Sequence, residues 1–111
     1  MKKRRPTVTF SERVLKCALS IPKGKVTTYG RIARAAGAGP MASQSITSIL
    51  GKAYDAGETR IPFHRIVYAD GRIWVSPKYR RERLKRYEEE KIELDESDRI
   101  VGFRDRLFEF N

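Results

Sequence analysis

Apolar positions recur with a helical period over much of the chain, and Gly and Pro divide it into segments. Phe10, Val14, Leu15, Ala18 and Leu19 return at three- and four-residue steps, which predicts an amphipathic helix. Thr9-Phe10-Ser11-Glu12 is a capping-box pattern at its start. Pro22 and Gly24 set its end near Ser20. Thr28 is placed to N-cap a second helix carrying Ile32 and Ala33, with Ala36-Gly37 as its exit. Gly39-Pro40 fits the start of a third helix, from about Met41 to Tyr54. Its Ile46, Ile49 and Leu50 form one buried side, while Ala42, Ser43, Ser45, Thr47 and Ser48 are all small. Two helices joined by a short Gly-bearing turn predict a helix-turn-helix.

Beyond the third helix the pattern shortens. Pro62 fixes its own φ and pushes Ile61 towards extended geometry, and Ile66-Val67-Tyr68 has strand composition. Ala69-Asp70-Gly71-Arg72 reads as a turn and Ile73-Trp74-Val75 as the returning strand, which predicts a short β-hairpin. Lys78 to about Lys91 reads as a long basic helix closed by Glu88-Glu89-Glu90. Ile92–Asp98 is acidic and turn-like, and the aromatic end, Phe103 with Leu107-Phe108-Glu109-Phe110, is expected to pack against the body. The expected fold is α/β, mostly helical, in a single domain over residues 9–111, with residues 1–8 as a basic flexible tail.

Charge changes the picture from fold to partner. In 111 residues the formal net charge is +10 and the pI about 10.1, which favours a polyanionic partner, nucleic acid first and an anionic membrane surface second. No apolar run approaches the ~20 residues of a membrane span. Met1-Lys2-Lys3-Arg4-Arg5 is not followed by an apolar stretch, so no signal peptide is expected. One cysteine, Cys17, excludes an internal disulfide and a multi-cysteine metal site. No cofactor and no metal are expected, and an intracellular, nucleoid-associated place is.

Candidate chemistry centres on Ile61-Pro62-Phe63-His64-Arg65, which holds the chain's single histidine. In so tight a frame a histidine is a base, a ligand or a buried hydrogen-bonding post. The stretch resembles the Pro-Cys-His-Arg active-site motif of the O6-alkylguanine-DNA alkyltransferases, with Phe63 where that family has its nucleophilic cysteine. Val26-Thr27-Thr28-Tyr29-Gly30 is similar to the start of the same family's DNA-binding unit. Replacement of the cysteine, usually by tryptophan, marks the alkyltransferase-like proteins, and the resemblance runs over roughly residues 9–108.

The resemblance implies a domain like the family's C-terminal DNA-binding domain, whose third helix enters the minor groove, where small side chains fit and base identity is poorly encoded. It makes Thr28, Tyr29, Ala42, Ser43, Gln44, Ser45, Ser48 and Arg65 the DNA-binding residues, and Arg65 is also expected to order the loop by hydrogen bonding backbone carbonyls. Tyr29 matches the tyrosine that turns the phosphate, and Gln44 stands where the family has an intercalating arginine. Ile61, Pro62, Phe63, Tyr29 and Trp74 form the expected lesion pocket, with Trp74 alternatively a plain core or surface aromatic. His64 and Glu90 become a vestigial relay with nothing to activate. The implied partner is double-stranded DNA containing O6-alkylguanine, bound by a monomer and flagged for nucleotide excision repair proteins, with no alkyl transfer.

Two other classes stay open on the residues. One is an enzyme acting on a flipped damaged or deaminated base through His64 and Glu90. The other is a helix-turn-helix regulator, against which the small third-helix residues argue, because base readout calls for Arg, Asn or Gln.

Overall fold

The computed structural model describes residues 9–39, 42–73 and 75–110; the expected basic tail and Trp74 lie outside them. Helix α1 spans Phe10–Leu19 with the capping box formed: Thr9 Oγ1 accepts from the Glu12 amide at 3.1 Å, and the Glu12 carboxylate accepts from the Thr9 amide at 2.8 Å. Strand β1, Thr27–Thr28, runs directly into α2, Tyr29–Ala35. Thr28 is both strand end and N-cap, its hydroxyl accepting from the Arg31 amide at 3.2 Å. Tyr29 is therefore the first helical residue, projected from a fixed strand end. Gly37 (φ +94°) turns the chain out of α2, and Arg13 Nε donates to the Ala36 carbonyl at 2.6 Å, tying α1 to this turn.

Helix α3 spans Ser43–Asp55. It begins two residues later than the sequence pattern predicts, and its N-cap, Ala42, offers no side-chain acceptor. The α2–α3 pair forms the expected helix-turn-helix. With α1 it encloses a core of Val14, Ala18, Ile21, Ile32, Ala33, Ala36, Ile46, Leu50, Ile61 and Ile66. Each Val, Leu or Ile among them, once buried, stabilises the fold by roughly 1.5–3 kcal/mol.

Strand β2, Ile66–Val67, pairs in parallel with β1, Thr27 against Ile66 and Thr28 against Val67. Its two side chains point to opposite faces: Ile66 joins the helical core, and Val67 joins a second core of Val26, Ile73, Tyr87, Ile92 and Ile100. This overturns the expected hairpin. A tight turn does form, with the Gly71 amide on the Tyr68 carbonyl and the Tyr68 amide on the Arg72 carbonyl, but β2 takes its ladder partner from β1. Ile73 instead donates to Asp98, and Arg72 bridges Arg99. Gly71 (φ +86°) lies flat under Phe103: a Cβ there would sit 2.9 Å from the Phe103 ring.

Helix α4, Arg80–Glu89, follows a short 3₁₀ turn, Pro77–Tyr79, so the basic helix starts two residues later than expected. It ends in a Schellman arrangement: Lys91 is left-handed (φ 58°), its amide reaches the Glu88 carbonyl, and the Ile92 amide reaches Tyr87. Tyr87 and Ile92 are both buried in the second core. Helix α5, Phe103–Arg106, leads to a closing segment that pairs with Val26, through Val26 N on the Arg106 carbonyl and Phe108 N on the Val26 carbonyl. Phe108 and Phe110 pack against the helical core, as the aromatic ending predicts.

Candidate nucleic-acid interface

Pro62 feeds a single 3₁₀ turn, Phe63–Arg65, closed by the Arg65 amide on the Pro62 carbonyl at 2.9 Å. With about three residues per turn, consecutive side chains leave in three directions. Phe63 packs half-buried against the helical core and meets Tyr54 edge-on, ring centroids 5.8 Å apart. His64 is buried and its Nε2 lies 2.5 Å from Glu90 Oε2. Arg65 divides its guanidinium between the Glu90 carboxylate (Nη2 to Oε2, 2.7 Å) and the Ile21 carbonyl (Nη1, 2.8 Å). Glu90, the C-cap of α4, also accepts from the Gly24 amide at 2.8 Å.

One carboxylate thus joins the loop after α1, the Phe63–Arg65 turn and the end of α4. Burial alone would raise the Glu90 carboxyl, but the donors from Arg65, Gly24 and His64 outweigh it and hold it at about 2. Burial pushes His64 below the usual imidazole range, and the Arg65 and Arg86 charges add to this against the pull of Glu90. The pair is therefore a carboxylate and a neutral imidazole whose Nε2–H donates. Of the two roles expected of Arg65, the loop-ordering one is seen, with a backbone carbonyl and Glu90 taking its guanidinium inside the protein.

A second region is open. A cleft of about 770 Å³ lies between α2, the start of α3, the turn after β2 and the closing segment. It gathers Thr28, Tyr29, Ser43 and Gln44 from the sequence-predicted set. It adds Arg31, Arg34, Thr47, Tyr68, Phe103 and Leu107, which the sequence reading did not place there. Thr47 follows Gln44 by one helical turn, a signal that was present; Phe103 and Leu107 arrive from the far end of the chain with no local signal. Tyr29 leans on Tyr68, centroids 5.9 Å apart, and the Arg72 guanidinium stands 5.7 Å over the Tyr68 ring. Burial raises the Tyr29 phenol, with Tyr68 adding to the shift and the Thr47 hydroxyl opposing it, so Tyr29 is a neutral donor.

The remaining predicted residues are spread around these two regions. Ser45 and Ser48 are exposed on α3, and Ala42 packs against the helical core. Ile61 and Pro62 are buried, and neither they nor Phe63 line the cleft. Cys17 is half-buried on α1, packs against the helical core, and has its thiol pushed up by burial. Among the described residues no group of three or more His, Cys, Asp or Glu could hold a metal ion, and no helix is long and apolar enough to cross a membrane.

A sequence model of the 6-O-methylguanine DNA methyltransferase DNA-binding domain matches residues 9–92. The chain belongs to this family. Within it, a DNA base-flipping protein of Escherichia coli is 38% identical over 76 residues, 68% of this chain and 57% of the relative; the chain thus spans little more than half of that protein's length. A DNA base-flipping protein of Vibrio parahaemolyticus is 32% identical over 81 residues, covering 73% of this chain and 78% of that one. The fold of S. pombe Atl1, solved in complex with damaged DNA containing O6-carboxymethylguanine, superposes with a TM-score of 0.72 at 27% identity. That match covers 91% of this chain and 95% of Atl1.

Proposed function

We propose that this chain binds duplex DNA with α3 in the minor groove and extrudes an O6-alkylguanine into the space beside Phe63. It holds the base without taking the alkyl group, as a monomer, and leaves the lesion marked for nucleotide excision repair. The observation that carries this reading is the composition of one turn. His64 keeps its Glu90 partner, while the residue beside it is a phenyl ring with no lone pair to attack an alkyl carbon. The relay has nothing to deprotonate, and the single thiol of the chain sits on α1.

The recognition parts remain. The net charge of +10 supplies sequence-independent attraction to phosphates, and Arg31 and Arg34 stand in the cleft beside Tyr29. Extruding a base costs a few kcal/mol, least for a damaged pair, so a flipping protein prefers lesions even before its pocket contributes. The names of the E. coli and Vibrio relatives and the damaged DNA held by Atl1 support the same reading.

Fluorescence anisotropy with matched duplexes tests it. An O6-methylguanine duplex is expected to bind more tightly than its guanine counterpart, and both affinities should fall steeply with salt. Equal affinity for the two duplexes at every salt concentration would overturn the reading.

A further inference from the structure

Resting on that reading, we propose that Tyr54 is a further lesion-contacting residue. With Phe63 it forms a two-ring wall that sets the size of O6-substituent the pocket accepts. Thr47 lines the cleft. Tyr54 follows it by seven residues, close to two full turns of α3, and so continues the same face about 10 Å further along the helix. At that point the face meets the Phe63 ring, 5.8 Å away and tilted at 64°. This is an edge-to-face pairing, in which each ring fixes the other's plane.

Tyr54 is nevertheless 46% exposed. An aromatic side chain at the end of a helix, pinned by one ring and open on its other side, presents a preset stacking surface. Tyr54 is thus an exposed aromatic ring paired with Phe63. A single phenyl ring at position 63 leaves part of a planar base uncovered, and Tyr54 is the neighbouring ring able to cover more of it. Its distance from Tyr29 along the chain separates the two tasks: Tyr29 sits by the cleft's strand-end wall, Tyr54 at the end that reaches the central turn.

The test titrates the full chain and its Tyr54→Ala, Tyr54→Leu and Tyr54→Phe variants with duplexes carrying guanine, O6-methylguanine or O6-benzylguanine. Phe63→Ala serves as the control for the pocket itself. A base–aromatic stack implies a loss of about tenfold in affinity for the methyl lesion on Tyr54→Ala. Affinity for the guanine duplex should stay unchanged, and the loss on the benzyl lesion should be smaller, because room has been made. Tyr54→Leu should follow Ala, having bulk without a ring, and Tyr54→Phe should keep wild-type behaviour. Unchanged lesion affinity in Tyr54→Ala, with lesion preference lost in Phe63→Ala, would place Tyr54 outside the pocket. An equal loss on all three duplexes would make it a general DNA or structural contact and sink the proposal too. Unchanged lesion preference in Phe63→Ala would remove the pocket on which the inference rests.

Discussion

Around Glu90, the His64 Nε2, the Arg65 guanidinium and the Gly24 amide all converge on one buried carboxylate. Beside Tyr29, by contrast, Ser43, Gln44 and Arg34 face an open cleft. The two regions hold the residues that the sequence ties to one function, yet only one is finished in the free protein. The closed cluster uses charged groups to join three distant parts of the backbone. The cleft leaves its polar lining open. A polar cluster kept for proton transfer should tolerate replacement without loss of fold; one kept as a joint should not. The geometry of Glu90 is that of a joint, and this separates it from the open cleft.

The largest expected effect follows from that difference. Glu90→Ala leaves Arg65 and His64 without their carboxylate in a largely buried site, which costs about 3–5 kcal/mol; Glu90→Gln should cost less because it keeps an acceptor. Urea denaturation checks both. Losses within about 0.5 kcal/mol, the range of ordinary surface substitutions, would show that the cluster is not a joint.

Acid should open the same cluster. Both groups have folded pKa values below their ordinary ones. The unfolded chain therefore binds more protons as pH falls, and stability is lost in that direction. His64 contributes first, as pH drops below about 6.5. Glu90 follows between 4.5 and about 2, a loss on the order of 3 kcal/mol. Thermal melts across this range should show a decline that Glu90→Gln flattens below pH 4.5. A wild-type melting temperature that does not fall in acid would contradict the assignment.

For the open face, Tyr29→Ala should leave the fold largely intact but abolish the preference for a lesion over plain DNA, read by anisotropy. Retained preference would detach the cleft from recognition. The smallest effect is at Gly51, on α3 between Thr47 and Tyr54, where an added Cβ would meet nothing within 4 Å. Gly51→Ala should raise stability by about 0.5–1 kcal/mol through helix propensity alone. If α3 seats against DNA there, the same variant should bind DNA more weakly. A gain in stability with unchanged affinity would take this stretch of α3 off the interface.

Local chemistry made much of the fold legible. Thr9 and Glu12 announce α1, and Thr28 announces α2, because capping is settled within three residues. The Pro62–Arg65 turn and Glu90 could be paired through the family resemblance, and they meet in space. What the sequence hid is non-local. Two-residue strands carry too little alternation to declare their partner, so β2 was given to a hairpin when it pairs in parallel with β1. Arg65 is legible as a loop-ordering residue that donates to a backbone carbonyl, but no local signal shows that Ile21 supplies the carbonyl or that Glu90 shares the guanidinium. Phe103 reaches the cleft only because Gly71 lets its ring lie against the backbone.

One measurement bears most directly on a recognition surface built beside a relay without a nucleophile. The protein is mixed with an equimolar O6-methylguanine duplex carrying labelled methyl groups; the bound fraction is recorded, and protein and DNA are then separated under denaturing conditions. The account predicts a stable complex from which all label returns with the DNA. Label fixed on the protein, at Cys17 or His64, would contradict it, as would the absence of any lesion-dependent complex.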